Sequence, residues 1–132
     1  MAIQLETTVR NAMLDAITTK VGANGRLKFY SGAVPANCVA SPGAGLLVDL
    51  ACSAALAPAA SGGQLTFNAI TSGNATGNGT ATFFRVYDSG SATCWVQGTV
   101  STSGADINLS STAFTVGLLV TVTSEILVAP GA

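Results

Sequence analysis

A chain without histidine lacks the commonest general base and metal ligand. No Ser-His-Asp or Cys-His pair can be built from it. Chemistry would have to come from six acids, five cations and three cysteines. The acids are Glu6, Asp15, Asp49, Asp88, Asp106 and Glu125. Asp88 and Asp106 fall in expected loops, and neither has a partner at calcium-loop spacing. Asp49 and Asp88 could form a glycosidase-like pair, but nothing in the spacing singles them out from any other two acids. Cys38, Cys52 and Cys94 are odd in number and far apart, so they read as buried free thiols rather than a disulfide framework or a zinc site. Asn74-Ala75-Thr76, Asn78-Gly79-Thr80 and Asn108-Leu109-Ser110 match the glycosylation pattern, which here reads as coincidence in a Ser/Thr/Asn-rich chain. Gly77-Asn78-Gly79 resembles a phosphate loop only superficially, with no Lys and no strand-to-helix context. The expectation is a protein that is not an enzyme, with no catalytic residue, no metal and no cofactor.

The residues best suited to contact something lie in the stretch 81–101. Ala81–Tyr87 and Cys94–Val100 are β-branched and aromatic, and Asp88-Ser89-Gly90-Ser91 between them is a cluster of turn formers, which predicts a β-hairpin. Alternation places Thr82, Phe84, Val86, Cys94, Val96 and Val100 on a core face. Phe83, Arg85, Tyr87, Trp95, Gln97 and Thr99 form a second face, half apolar and half polar, suited to being covered by something else. Arg85 reads either as a rim charge lying over Tyr87 and Trp95 or as an inter-subunit ion pair or cation–π anchor. Arg85, Tyr87 and Trp95, with Ile3 and Leu5 of the N-terminal segment, are the candidate interface residues.

Composition narrows the function further. Charged residues are 8% of the 132-residue chain, against roughly 25% in an ordinary soluble domain, and the net charge is −1. So weak a basic content argues against nucleic-acid binding and against a basic membrane-surface module. At 48% hydrophobic residues, with Ser, Thr, Gly and Asn supplying most of the rest, the chain suits a life packed against neighbours. Met1–Glu6 has no basic n-region or long apolar run, so synthesis and folding in a cytoplasm are expected. The most apolar window, Leu46–Ala60, is interrupted by Asp49 and Pro58 and is too short to span a bilayer.

One domain over 1–132 is expected. Residues 1–7 read as an extended arm, with Ile3 and Leu5 alternating with Gln4 and Glu6. A helix over 8–21 follows, capped by Thr7 or Thr8 and ended by Gly22. Val9, Ala12, Met13, Ala16 and Ile17 form its apolar stripe, with Arg10, Asn11, Asp15, Thr18 and Lys20 facing away. That stripe reads as core or, failing that, as interface. Strands are expected at 26–31, 46–52, 64–70, 106–109, 114–116 and, as one long element, 118–128. Residues 32–45 and 54–63 read as loops, the second with a possible short helical turn. The loop 71–80 should be mobile unless a partner orders it. Seven or eight short, evenly spaced strands with one helix predict an antiparallel β-sandwich or jelly-roll-like barrel.

Four stretches together bear a resemblance: TTVRNAMLDAITTKVGANGRLKFYSGAVPANC, LLVDLACS, FFRVYDSGSATCWVQGTV and LLVTVTSEILVAP. RNAMLDAI leading into KFYSG-x-x-P, and FRVYDS before a Cys-containing strand ending in QGTV, are the telling pieces. The chain resembles small structural proteins of tailed double-stranded DNA bacteriophages. The resemblance implies a virion protein, a head decoration (cement) protein on the capsid exterior, bound to the major capsid protein and to its own copies, often as a homotrimer. It brings no catalytic residues. A tail, baseplate or fibre-base component is the alternative within that class. From the residues alone, a host-surface carbohydrate-binding module with Trp95 and Tyr87 as its platform is the rival.

Overall fold

The computed structural model describes residues 3–122 and 126–128. The architecture is mainly β with one helix, as expected. After α1 (Thr7–Val21) come β1 (Arg26–Tyr30), β2 (Leu46–Ala51), β3 (Gln64–Thr66), β4 (Gly73–Asn74), β5 (Gly79–Thr80), β6 (Phe83–Tyr87), β7 (Cys94–Ser101), β8 (Ile107–Asn108), β9 (Ala113–Phe114), β10 (Leu119–Val120) and β11 (Ile126–Val128). The strands are more numerous and shorter than the seven or eight expected. Five make a curled half-barrel sheet in the order β2-β1-β6-β7-β8, and the others form two-stranded ribbons β4·β10, β3·β11 and β5·β9. The sheet is mixed: β8 runs parallel to β7, with Val100 beside Ile107. The Asp106 carboxylate makes this reversal by accepting the Thr99 N–H at 2.8 Å.

Alternation along β1, β2 and β6 sends Leu27, Phe29, Val48, Leu50, Phe84 and Val86 to one side. All six are fully buried, and each is worth about 1.5–3 kcal/mol of transfer free energy. The ribbons pack over this face: Phe114 of β9 meets Phe29 edge-on at 6.0 Å, and Leu65 of β3 and Val120 of β10 join the same cluster. Gly98 sits opposite Phe84, where a Cβ would strike the ring.

Two β-bulges break the alternation. On β2 the pairing jumps from Phe29–Val48 to Tyr30–Leu46, so Leu47 is the extra residue and also turns into the core. On β7 it jumps from Val86–Val96 to Tyr87–Cys94, so Trp95 is extra. Strict period two put Cys94 on the core face and Trp95 on the other. The bulge moves Cys94 to the second face, beside Tyr30, Phe83 and Tyr87. Trp95 instead stands 5.8 Å under the Lys20 ammonium of the helix.

The bulge also overturns the reading of the cysteines. Cys94 meets Cys38 on the returning 31–45 loop with Cα atoms 5.3 Å apart, and the two form a disulfide. Closing a loop of that length is worth about 4 kcal/mol in the chain-entropy account. Cys52 alone is the free, buried thiol.

The helix is rotated from the expected orientation. Val9 is 47% and Met13 43% exposed, with Ala12 and Ala16 exposed beside them. Arg10, Leu14 and Val21 are buried instead, while Ile17 is half-buried against the core. The cause is the irregular 53–63 segment, whose backbone N–H groups have no ladder to join. Asn11 accepts the Gly63 N–H at 2.8 Å and Asp15 accepts the Ala60 N–H at 2.7 Å. These acceptors stand four residues apart on one helix face, so satisfying both fixes which face turns inward. Gly63, at φ +76°, admits the Arg10 guanidinium where any Cβ would collide with it. At the N-terminus the cap is Glu6 rather than Thr7 or Thr8, its carboxylate accepting the Thr8 N–H at 2.7 Å.

The loop 71–80 is ordered by the chain itself. Thr76 and Gly77 donate to the Leu47 carbonyl, and Ala75 donates to Leu118. The long strand expected over 118–128 is divided into β10 and β11.

Replacing Asn11 with Ala should lower unfolding free energy by about 1–3 kcal/mol, the cost of a buried N–H left unmet. Met13→Gln on the exposed stripe should change it by less than about 0.5 kcal/mol. Denaturant titration reads both, and a reversed ranking would mean that the helix is turned the other way.

Thiol counting tests the cysteine assignment. Under non-reducing denaturing conditions one thiol should react with a disulfide reagent, and three after reduction. Burial pushes the Cys52 thiol from its ordinary 9.0 up to about 11. The folded state therefore holds a proton that the unfolded chain releases. That contribution is complete below about pH 9 and is lost as pH rises through about 11. Cys52→Ala should flatten this alkaline decline in melting temperature.

Candidate functional site

The second face of the sheet gathers three of the five basic residues with two tyrosines. Arg26 Nε lies 2.8 Å from Asp49 Oδ1, and Lys28 Nζ lies 3.7 Å from Asp49 Oδ2. Lys28 also stands 5.1 Å over the Tyr87 ring. Tyr30 stacks on Phe83 at 5.0 Å, and the Tyr30 and Tyr87 hydroxyls share a hydrogen bond at 3.0 Å. Burial, with the Tyr87 hydroxyl adding to it, holds the Tyr30 phenol well above its usual range, so it stays protonated.

This face is covered, and the cover is the chain's own 31–45 loop. Thr82 Oγ1 donates to the Gly32 carbonyl at 2.6 Å and Gln97 Nε2 to the Pro35 carbonyl at 2.8 Å. Arg85 donates from Nε to Gln97 Oε1 at 2.8 Å and from Nη2 to the carbonyls of Asn37 and Ala40 at 3.1 and 2.6 Å. Asn37 shapes the loop beneath by accepting the N–H groups of Val39 and Ala40 in an Asx turn. The disulfide pins the same segment from its other side.

The five candidate interface residues therefore separate. Arg85 is 2% exposed and acts as an internal anchor, neither a rim charge nor a surface able to reach another subunit directly. Tyr87 is buried as well, which removes the two-ring platform that carbohydrate stacking with Trp95 would need. Trp95 is 37% exposed, Leu5 is half-buried and Ile3 is 77% exposed. Ile3, like Val9, Ala12, Met13 and Ala16 of the outward stripe, is exposed apolar surface.

Asn37 and Gln97 are the partners of Arg85 that the sequence reading did not assign to it. An Asn followed by small residues is a turn signal, and a Gln one strand across from a mid-strand Arg is its natural acceptor. Both signals are local. What connects them is a contact 48 residues apart in sequence.

Among the described residues no group of three or more His, Cys, Asp or Glu side chains could hold a metal ion. No helix there is long and apolar enough to cross a membrane. No protein-family model, curated protein or solved structure matches the chain.

Arg85→Leu should release the 35–41 segment, because the part-buried carbonyls of Asn37 and Ala40 lose their donor at about 1 kcal/mol each. Hydrogen exchange should accelerate at Val39 and Ala40 more than in the β1·β2 ladder. Uniform acceleration would mean that Arg85 supports the sheet rather than the loop.

Proposed function

We propose that this chain is a non-enzymatic bacteriophage virion structural protein: a capsid decoration (cement) protein that binds the outer head shell as a homo-oligomer, a homotrimer, and stabilises it. The major capsid protein is its partner on the shell side. It is made in the host cytoplasm and ends on the exterior of the virion.

The observation that carries this reading is the outward apolar stripe of α1. A chain with 8% charged residues turns Arg10, Asn11 and Asp15 inward and leaves Val9, Ala12, Met13 and Ala16, with Ile3 nearby in sequence, to solvent. Burying such a surface against another polypeptide is favourable and exposes no unpaired charge. The Cys38–Cys94 bridge suits a protein that finishes in an oxidising exterior. The distribution of cations speaks against nucleic acid. Arg10 and Arg85 are buried, and Arg26 and Lys28 face Asp49.

Stabilisation works by linkage: a ligand that binds the assembled shell and not its separated subunits shifts the equilibrium toward the shell. Oligomeric binding adds avidity, since later contacts are intramolecular. The segment Ile3–Leu5, exposed at Ile3 and Gln4 and half-buried at Leu5, supplies an arm able to join a neighbour's sheet edge. A sandwich- or jelly-roll-like closure, with the three ribbons as second layer over the five-stranded sheet, belongs to the same proposal.

Purified particles should contain this chain in numbers comparable to the major capsid protein, read by gel densitometry. Small multiples set by tail symmetry would place it in a tail, baseplate or fibre base instead. Met13→Glu should weaken particle binding by roughly tenfold or more, since it buries an unpaired charge, while leaving the melting temperature nearly unchanged. Unaltered binding would remove the helix stripe from the interface.

A further inference from the structure

A buried cation with only neutral partners remains unexplained by any role in virion assembly. Every hydrogen bond that Arg85 makes goes to an uncharged oxygen, those of Gln97, Asn37 and Ala40. Among the described residues the ion pairs are those of Arg26 and Lys28 with Asp49, and none involves Arg85. A guanidinium at 2% exposure without a counter-charge is costly unless an opposite charge reaches it. Its Nε is occupied by Gln97 of β7 and its Nη2 by the loop, and no acceptor among the described residues takes Nη1.

The Arg85 side chain lines a cleft of about 370 Å³ between the sheet and the 38–42 segment, with the Cys38–Cys94 bridge in its wall. Lys28, Tyr30, Tyr87, Ser41 and Ser91 line it too. These groups are rich in unused donors. Lys28 Nζ is 3.7 Å from Asp49 Oδ2, beyond hydrogen-bond range, and its other contact is the Tyr87 ring. Two tyrosyl hydroxyls bonded to each other consume one proton and leave the second to donate. Ser41 Oγ accepts the Gly43 N–H at 3.2 Å, leaving its own proton free to donate. Among the described residues no carboxylate lines the cleft. Asp49 offsets part of the Lys28 charge, but Arg26 holds its nearer oxygen.

We infer that this cleft is a binding site for an oxyanion, a carboxylate or phosphate group seated between Arg85 and Lys28 and hydrogen-bonded by a tyrosyl O–H. We take the anion to come from another kind of molecule, because each acid among the described residues already accepts a hydrogen bond within this chain. The chain's described acids are committed: Glu6 to the helix cap, Asp15 to Ala60, Asp49 to Arg26, Asp88 to Ala92 and Asp106 to Thr99. A free small anion and an acidic side chain of a partner protein share the required chemistry.

The test uses the oxidised full chain, labelled with nitrogen-15. It is titrated separately with sodium phosphate, sodium acetate and the tripeptide Gly-Glu-Gly, with chloride holding the ionic strength constant. Saturable shifts confined to the amides of 38–41 and 91–94 are expected with at least one probe. Preference for phosphate or acetate indicates a free anion, and preference for the tripeptide a protein-borne carboxylate. Lys28→Gln should weaken that binding roughly tenfold, the worth of one charge-assisted contact. Lys28→Arg keeps the charge and should retain the binding, which separates loss of charge from loss of fold. Shifts that never saturate, that centre elsewhere, or that persist unchanged in Lys28→Gln would overturn the assignment.

Discussion

Long irregular segments impose the main constraint on this chain. Residues 31–45 and 53–63 carry backbone N–H and C=O groups with few ladder partners, and such groups cannot be left buried and unmet. Side chains from the regular elements meet them. Arg85, Gln97 and Thr82 reach out from the sheet to the carbonyls of the first segment. Asn11 and Asp15 reach from the helix to the N–H groups of the second. In a chain with only 8% charged residues, two of the cations, Arg10 and Arg85, lie inside.

That use of polar groups determines what the surface becomes. A helix normally turns its apolar stripe to the core, because burial of apolar area is the largest favourable term. Here the stripe is mostly Ala and Val with a single Met, so the hydrophobic gain at stake is small. The N–H groups of buried Gly63 and half-buried Ala60, left without acceptors, would cost about 1–3 kcal/mol each at most. The hydrogen bonds prevail, and the apolar stripe faces solvent. Interior satisfaction and exterior stickiness follow from one rotation of α1.

The second face of the sheet follows the same logic. Its mixed aromatic and cationic character suits a cover, and the cover is a segment already in the chain. One extra residue on β7 brings Cys94 round to close that cover with Cys38. The loop then stands over Lys28, Tyr30, Tyr87 and Arg85 and leaves a donor-rich cleft between. A covalent staple and a buried guanidinium hold one short segment from two sides, so the cleft is preorganised.

Much of the local structure could be read from residue order. The hairpin around Asp88–Ser91, the strands starting at Arg26 and Leu46, and the helix ending at Gly22 follow from β-branched runs, turn formers and a positive-φ glycine, all of which act within a few residues. The absence of histidine and the scarcity of charge likewise bounded the chemistry before any fold was known. Tertiary structure alone decided which helix face turned inward, that Arg85 and Tyr87 would be interior, and that two of three cysteines would join. Each of these depends on partners far apart in sequence, the backbone of residues 60–63 for the helix and the 37–40 segment for Arg85. The cysteine pairing also depends on a β-bulge that adds a single residue and inverts the side-chain phase beyond it. Periodicity describes a strand or helix in isolation. It cannot register a one-residue slip, or an acceptor fifty residues away, before the chain has folded.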